Sequence, residues 1–434
     1  MTNRILRTAL AEALLVVAAA CAVYRAPALP TAPAESLGLS GAALDRIAPA
    51  LQPLIDSGRV GGIYVVIARH GHIGYERTFG WLDVANREAM PRDAIFRIYS
   101  MTKPVIAVGI LRLVEDGKLR LDDPVAKYIP SFAGLRVFAG GTADSPILRA
   151  PDSPVTVRQL LNHTSGLAYG LTAVPVDTLF ARAKLYDAAR TLEQFTDSLA
   201  RIPLLFSPGT RWSYSSGIDV AGRVIEVASG QTLDRFLDDQ VFRPLGMRDT
   251  GFRIRPETRS RLATVYTTAP DGSLTALVGD DLMRMFEPDA RFFWGSGGLL
   301  STPDDYLRFT QMLLNGGILG ETRILRPESV ALMTHNTLPA GLTPVRSGAL
   351  GDSTYGFGLG VAVKVDTAGA TRPGPIGIFR WSGYLGTYFW IDPANDLIAM
   401  IWTQHSPGSR YPLEASFQEL VYSAIMAPAV ETGR

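Results

Sequence analysis

The chain has 434 residues, 47% hydrophobic and 19% charged, with a formal net charge of +1. It is long enough for a large core or two closely packed domains, too apolar for disorder, and too evenly charged for a global field that gathers nucleic acid. Its single cysteine, Cys21, excludes an internal disulfide and, in the folded body, a Cys-based zinc site or Cys nucleophile; no H-E-x-x-H occurs among its five histidines.

Arg4 and Arg7 precede "ALAEALLVVAAACAV", a basic start followed by an apolar run that ends in small residues. Residues 1–21 therefore read as a signal peptide or a membrane or lipid anchor, with Cys21 after "VAAA" loosely like a lipoprotein processing site. An exported protein (periplasmic, secreted or lipid-anchored) is expected; the alternative is an uncleaved anchor or a cytoplasmic chain with a misassigned start. Residues 22–39 are Ala- and Pro-rich and read as a tether.

"SGAALDRIAPALQPLIDSG" has helical spacing, with Ser40 as N-cap and Gly58 as stop. "GGIYVVIARHGHIGYERTFGWLD" is β-branched and alternating, with a turn at Gly71, and predicts a hairpin. A helix follows from about Lys103 to Asp116. The middle of the chain is mostly helix and loop: "TVRQLLNHTSGL", "SGIDVAGRVIEVASG" and "STPDDYLRFTQMLLNGG", the last with Thr302 as N-cap, Pro303 at the first helical position and Asp305 completing a capping box. Strand patterns return in "YGFGLGVAVK", "GIFRWSG", "GTYFWIDP" and "DLIAMIWTQ", before a closing helix in "PLEASFQELVYSAIM". The order predicts an α+β domain over 40–425. Its antiparallel sheet is built from both ends of the chain, about 40–104 and 350–425, beside a mostly helical part at about 105–349.

Within "FRIYSMTKP", Ser100 and Lys103 stand at i and i+3, which share a helix face. The chain holds only five lysines. A serine becomes a nucleophile when a base takes its proton, and a lysine is that base only if burial or a nearby cation favours the neutral amine. Tyr214, in "RWSYSSG", is a second candidate base, as a tyrosinate stabilised by Lys103. In "RWSGYLGT" the strand pattern breaks at Gly383, where a backbone N–H could face a carbonyl oxygen with no side chain in the way. G-x-S-x-G is absent, which argues against a nucleophile elbow. His163 in "NHTSG" reads as a turn hydrogen-bonder rather than a triad member; His405 could line a cleft.

Together "SMTK", "YSS" and "WSG" resemble the S-x-x-K, Y-x-N and K-T-G motifs of serine β-lactamases and penicillin-binding proteins, in the order and wide spacing of the class C branch. "FSPGTRWSYSS", "PLGMRDTGF", "WGSGGLLSTPDDYLRF" and "YGFGLGV" extend the likeness, which is closest to the family VIII carboxylesterases. It implies a β-lactamase/transpeptidase-like fold and a serine hydrolase that needs no cofactor or metal. Ser100 would attack the acyl carbonyl, Lys103 and Tyr214 would share the proton, and the N–H groups of Ser100 and Tyr384 would form the oxyanion hole. Trp381, Ser382, Gly383, Ser216, Trp294 and Tyr169 are the candidate substrate contacts.

Two departures bear on substrate. Ser216 replaces the Asn of Y-x-N, and Trp381 replaces the Lys of K-T-G, whose cation helps hold a substrate carboxylate in that family. Each lost charge-assisted bond costs about 1.5–3 kcal/mol, so recognition of a penicillin or of D-Ala-D-Ala should weaken about tenfold or more. The expectation is a carboxylesterase of short-to-medium acyl esters. The alternatives are a β-lactamase or D-Ala-D-Ala carboxypeptidase, an acyltransferase or amide hydrolase using the same acyl-enzyme, and a non-catalytic exported binding protein. The partner is a small-molecule ester, not nucleic acid; the oligomeric state is left open.

Overall fold

The strand Gly62–Arg69 (β1) is buried at every position but its last. Ile63, Val65 and Ile67 enter one hydrophobic core, and Tyr64, Val66 and Ala68 enter another. A strand that feeds two cores has no solvent face, so its sequence is a near-continuous apolar run. This is a computed structural model of the chain, and it describes residues 29–279, 281–345 and 352–426. The predicted export segment 1–21 and residues 22–28 of the tether lie outside them.

β1 pairs antiparallel with β2 (His72–Asp83), through a turn at His70 and Gly71 with φ of 53° and 71°. The short β3 (Glu88–Ala89) follows. Five strands come from the other end of the chain: β4 (Tyr355–Phe357), β5 (Ala362–Lys364), β6 (Phe379–Gly383), β7 (Thr387–Asp392) and β8 (Leu397–Trp402). The sheet order is β4-β5-β6-β7-β8-β1-β2-β3, and β1 joins the two ends by pairing with β8. The predicted antiparallel sheet assembled from both termini is the observed one.

Helix α1 (Ile47–Asp56) and the final helix, which spans Leu413–Ala424, share the smaller core with one face of this sheet. On the other face lies α2 (Thr102–Glu115), buried from Thr102 through Leu111. A helix apolar on all sides belongs inside the protein. Against it packs α4 (Gly217–Ser229), which also carries α3 (Val157–Leu161), while α5 (Pro303–Leu314) packs on β7 and β8. The final helix is α6.

Three local expectations are corrected. The run from Ser40 to Gly58 makes two helices rather than one: Ser40 caps only the short Gly41–Leu44, and the chain re-enters helix at Ile47. "YGFGLGVAVK" makes two strands, β4 and β5, because the chain turns back between them. At Gly358 a Cβ would lie 2.1 Å from the Met333 carbonyl oxygen, and Gly360 has φ of 78°. The capping box on α5 is half present. Thr302 accepts from the Asp305 N–H at 3.2 Å, but the Asp305 carboxylate instead accepts from Asp249 N at 2.7 Å and Thr250 Oγ1 at 2.9 Å. It ties the helix to the preceding loop.

Candidate active site

The segment leading to Ser100 is held from several sides. Phe96–Arg97 pairs antiparallel with Leu300–Ser301. The Gln404 side chain completes a second edge: its Oε1 accepts from Arg97 N at 3.0 Å, and its Nε2 donates to Arg97 O at 3.1 Å. The chain then turns through Tyr99 at φ of 41°. A residue with a Cβ pays roughly 1–3 kcal/mol there, so the surroundings must hold it. The Tyr99 ring packs against Trp294 at 5.4 Å, Phe286 at 5.7 Å and Tyr384 at 5.8 Å. Tyr306 Oη donates to Met101 O at 2.9 Å on the far side. Ser100 is thereby fixed at the head of α2.

The three residues singled out by sequence meet here. Tyr214 Oη donates to Ser100 Oγ at 2.7 Å, and Lys103 Nζ lies 3.0 Å from the same oxygen. Nζ also donates to the Ser296 carbonyl at 2.7 Å. Lys103 is wholly buried, and burial, opposed by the charge of Asp219, lowers its pKa to about 7. At the ordinary value near 10.4 only about 0.04% of the amine would be neutral at pH 7. Burial therefore enlarges the neutral, proton-accepting fraction at neutral pH. Tyr214 moves the other way: burial raises its pKa well above the usual phenol value. The tyrosinate reading of Tyr214 is therefore corrected. The phenol keeps its proton and donates to Ser100 Oγ, which Lys103 Nζ also meets.

Asp219 was not singled out in the sequence. It projects from the first turn of α4, wholly buried; its Oδ1 accepts from Ser296 N at 2.7 Å and its Oδ2 from Tyr186 Oη at 3.0 Å. It fixes the backbone whose carbonyl receives Lys103, and its charge favours the ammonium. Burial in turn raises the Asp219 pKa to about 6. An Asp219→Asn variant keeps an acceptor but removes the charge, so the Lys103 pKa falls further. The acidic limb of a kcat/KM–pH profile should shift to lower pH, and a limb that stays in place would show that Asp219 does not set it. The legible signal was an acid set between Ile218 and Val220 on a buried helix face. Ser296 contributes a backbone carbonyl and left no such signal.

Ser100 and Tyr384, the two residues implied for the oxyanion hole, line the same cleft. Gly383 matters here for a reason other than the one expected. A Cβ there would lie 2.3 Å from both the Ile98 carbonyl and Thr387 Oγ1, so only glycine lets the end of β6 press against the strand before the nucleophile. Gly383→Ala should destabilise the fold by about 1–3 kcal/mol through overpacking and lower kcat, which thermal melts and ester kinetics on the same preparation would register. An unchanged melt would show that this contact relaxes freely.

Trp381, Ser382, Gly383 and Tyr384 line one cleft with Ser100 and Tyr214. The Trp381 ring lies 5.6 Å from that of Tyr214 and 5.2 Å from Phe357. The other three substrate-contact candidates are corrected, because each side chain is turned to support. Ser216 is buried and donates to Ala168 O at 2.7 Å. Trp294 donates to Ser296 Oγ at 2.7 Å beneath Tyr99. Tyr169 lies 3.1 Å from Ser296 Oγ and edge-on to Tyr214 at 5.4 Å. His163 is buried beside Tyr214, with Nδ1 on Ser215 Oγ at 3.1 Å, and is kept neutral by burial and by Lys103. His405 is buried and bonded to Thr268 and Pro407, off the cleft.

The Beta-lactamase family model matches residues 47–422. The chain belongs to the Beta-lactamase family. Among its Beta-lactamase relatives, esterase EstB of Burkholderia gladioli is 33% identical over 385 residues, covering 84% of this chain and 91% of EstB. The lovastatin esterase of Penicillium rubens is 30% identical over 367 residues, covering 80% and 89%. The solved structure of EstCE1, described as a hydrolase with promiscuous acyltransferase activity, aligns with a TM-score of 0.76 at 29% identity, covering 88% of this chain and 98% of EstCE1. The fold is β-lactamase/transpeptidase-like and the protein is a serine hydrolase, as the three motifs implied.

Proposed function

We propose that this Beta-lactamase family member hydrolyses carboxylic esters of short-to-medium acyl chains through an acyl-enzyme on Ser100. The observation that carries the reading is one serine oxygen 3.0 Å from a buried amine and 2.7 Å from a protonated phenol, in a cleft walled by Trp381. Ser100 Oγ attacks the ester carbonyl while its proton passes to Lys103. The N–H groups of Ser100 and Tyr384 hold the resulting oxyanion. Collapse breaks the bond to the alcohol, which takes the Tyr214 proton, and the Lys103 proton refills Tyr214. Water, deprotonated by the same amine, then attacks the acyl-enzyme; the bond to Ser100 Oγ breaks, the acid leaves, and Ser100 takes the proton back from Lys103.

The test compares kcat/KM on p-nitrophenyl butyrate with that on a chromogenic cephalosporin, with Ser100→Ala as control. Ester turnover should exceed cephalosporin turnover by at least about tenfold, from the missing charge-assisted bond, and both should vanish in the control. Dominant cephalosporin turnover would mean that another group holds the lactam's carboxylate, against the argument from Trp381. Acyl transfer is the second reading, supported by the description of EstCE1: an alcohol in place of water takes the acyl group from Ser100. Export, proposed from the pattern of residues 1–21, would place this activity outside the cytoplasm.

A further inference from the structure

His163, which the sequence marks as a turn hydrogen-bonder, has no place in the proton path above, yet it grips the stretch that carries Tyr214 from both sides. Residues 211–215 belong to no helix or strand, so no regular ladder fixes the Tyr214 backbone. His163 supplies bonds in its place. Its carbonyl accepts from Ser213 N at 3.0 Å, and its Nδ1 accepts from Ser215 N at 3.3 Å. The same nitrogen lies 3.1 Å from Ser215 Oγ, which in turn accepts from the N–H of Gly217, the first residue of α4, at 3.3 Å. The imidazole stands edge-on to the Tyr214 ring, with centroids 4.8 Å apart.

These bonds set the tautomer. A backbone N–H only donates, so Nδ1 keeps its lone pair and the ring proton sits on Nε2. Nε2 is buried with no hydrogen-bond partner among the described residues, in a ring cluster of Trp212, Tyr214 and Phe357. The His163 backbone is held at φ of 60°, in the left-handed region. A buried unpaired N–H and a left-handed residue with a Cβ each cost about 1–3 kcal/mol. The neighbouring loop has its own ties and calls for neither: Gly209 N donates to Thr164 O at 2.8 Å and Leu205 N to Gly166 O at 2.7 Å. What the imidazole nitrogen adds is the hold on the residue after Tyr214.

We infer that His163 is a positioning residue for the reaction: it aims the Tyr214 hydroxyl at Ser100 Oγ and so governs the step in which the phenol proton reaches the leaving group. The inference rests on the ester-hydrolase reading and adds a residue to it. The hydroxyl stands at the far end of a long side chain, so a slight turn of the backbone sweeps it through a larger arc. A misplacement of about 1 Å costs up to about a hundredfold in rate. A residue that merely closed the loop would scale turnover of every ester alike. One that aims Tyr214 slows the esters that need its proton and spares those that do not.

The test is the ratio of kcat/KM on ethyl butyrate to that on p-nitrophenyl butyrate, whose leaving group departs without a proton. His163→Phe keeps a ring among Trp212, Tyr214 and Phe357 but removes the acceptor for Ser215 N, and should lower the ratio at least about tenfold. His163→Asn places Oδ1 where Nδ1 stood and suits a left-handed backbone, so it should restore most of the ratio. If the phenylalanine variant does not fold, His163→Gly makes the same deletion on a backbone that tolerates it. In a Tyr214→Phe background, which itself lowers the ratio, His163→Phe should lower it no further, because the hydroxyl it aims is gone. The ratio is internal to each preparation, so a partly folded variant still reports it. A ratio unmoved by loss of the acceptor, not restored by asparagine, or lowered again in the Tyr214→Phe background overturns the inference alone, as does a ratio that Tyr214→Phe leaves unchanged. No turnover of either ester by the parent overturns the ester-hydrolase reading and this inference with it.

Discussion

Lys103→Met should lower kcat/KM on p-nitrophenyl butyrate by about 10³–10⁴-fold, the upper range for a general base, and Lys103→Arg should lower it as much. The arginine variant decides the role. A guanidinium keeps a charge beside Ser100 but does not release its proton in a protein. If Lys103 acted only as a fixed cation, Lys103→Arg would keep much of the activity; retention above about a tenth would exclude the general-base role. The same reasoning sets the sign of the pH dependence. With the Lys103 pKa lowered to about 7, kcat/KM of the parent should rise with pH and level off above that value, because only the neutral amine accepts the serine proton. The group also acts on stability. Between pH 7 and about 10.4 the unfolded chain binds a proton that the folded chain does not, so stability from this residue rises with pH across that window. Near neutrality Lys103→Met should therefore melt at a higher temperature than the parent, while being nearly inactive.

How far the sequence reveals this site depends on which atoms do the work. Ser100, Lys103 and Tyr214 act through side chains in motifs whose residue types are uncommon enough to notice, above all a lysine in a chain with five. The two-ended sheet was legible for a similar reason: strong strand patterns flank a helical middle. What stayed hidden works through backbone or through shape. The Ser296 carbonyl that receives Lys103 is chemically identical to every other carbonyl. The break in "YGFGLGVAVK" follows from the carbonyl of Met333, a residue remote in sequence, pressing on Gly358. Trp294 and Tyr169 were expected among the substrate contacts. The fold uses both to brace Ser296, and no local pattern separates a brace from a wall.

Tyr214→Phe should separate substrates by leaving group. The variant removes a hydroxyl that donates to Ser100 Oγ at 2.7 Å and leaves the ring, with its packing on His163, Tyr169 and Trp381, in place. Burial holds this phenol protonated, so its chemical contribution is to give a proton rather than to take one. An alkoxide leaving an alkyl ester needs that proton as the tetrahedral intermediate collapses; p-nitrophenolate, a far weaker base, leaves without it. Loss of a general acid is worth about 10²–10⁴-fold where protonation is required. We expect a fall of that size in kcat/KM on ethyl or butyl butyrate, and a fall of only about tenfold or less on p-nitrophenyl butyrate, where the variant loses one hydrogen bond to the nucleophile. Equal, large losses on both would mean that Tyr214 acts before the leaving group departs, at the deprotonation of Ser100, and would return the role of base to the phenol. Equal, small losses would assign the leaving-group proton to Lys103 directly. The two kinetic series, read with the Lys103→Arg result, separate the base that opens the reaction from the acid that closes its first half.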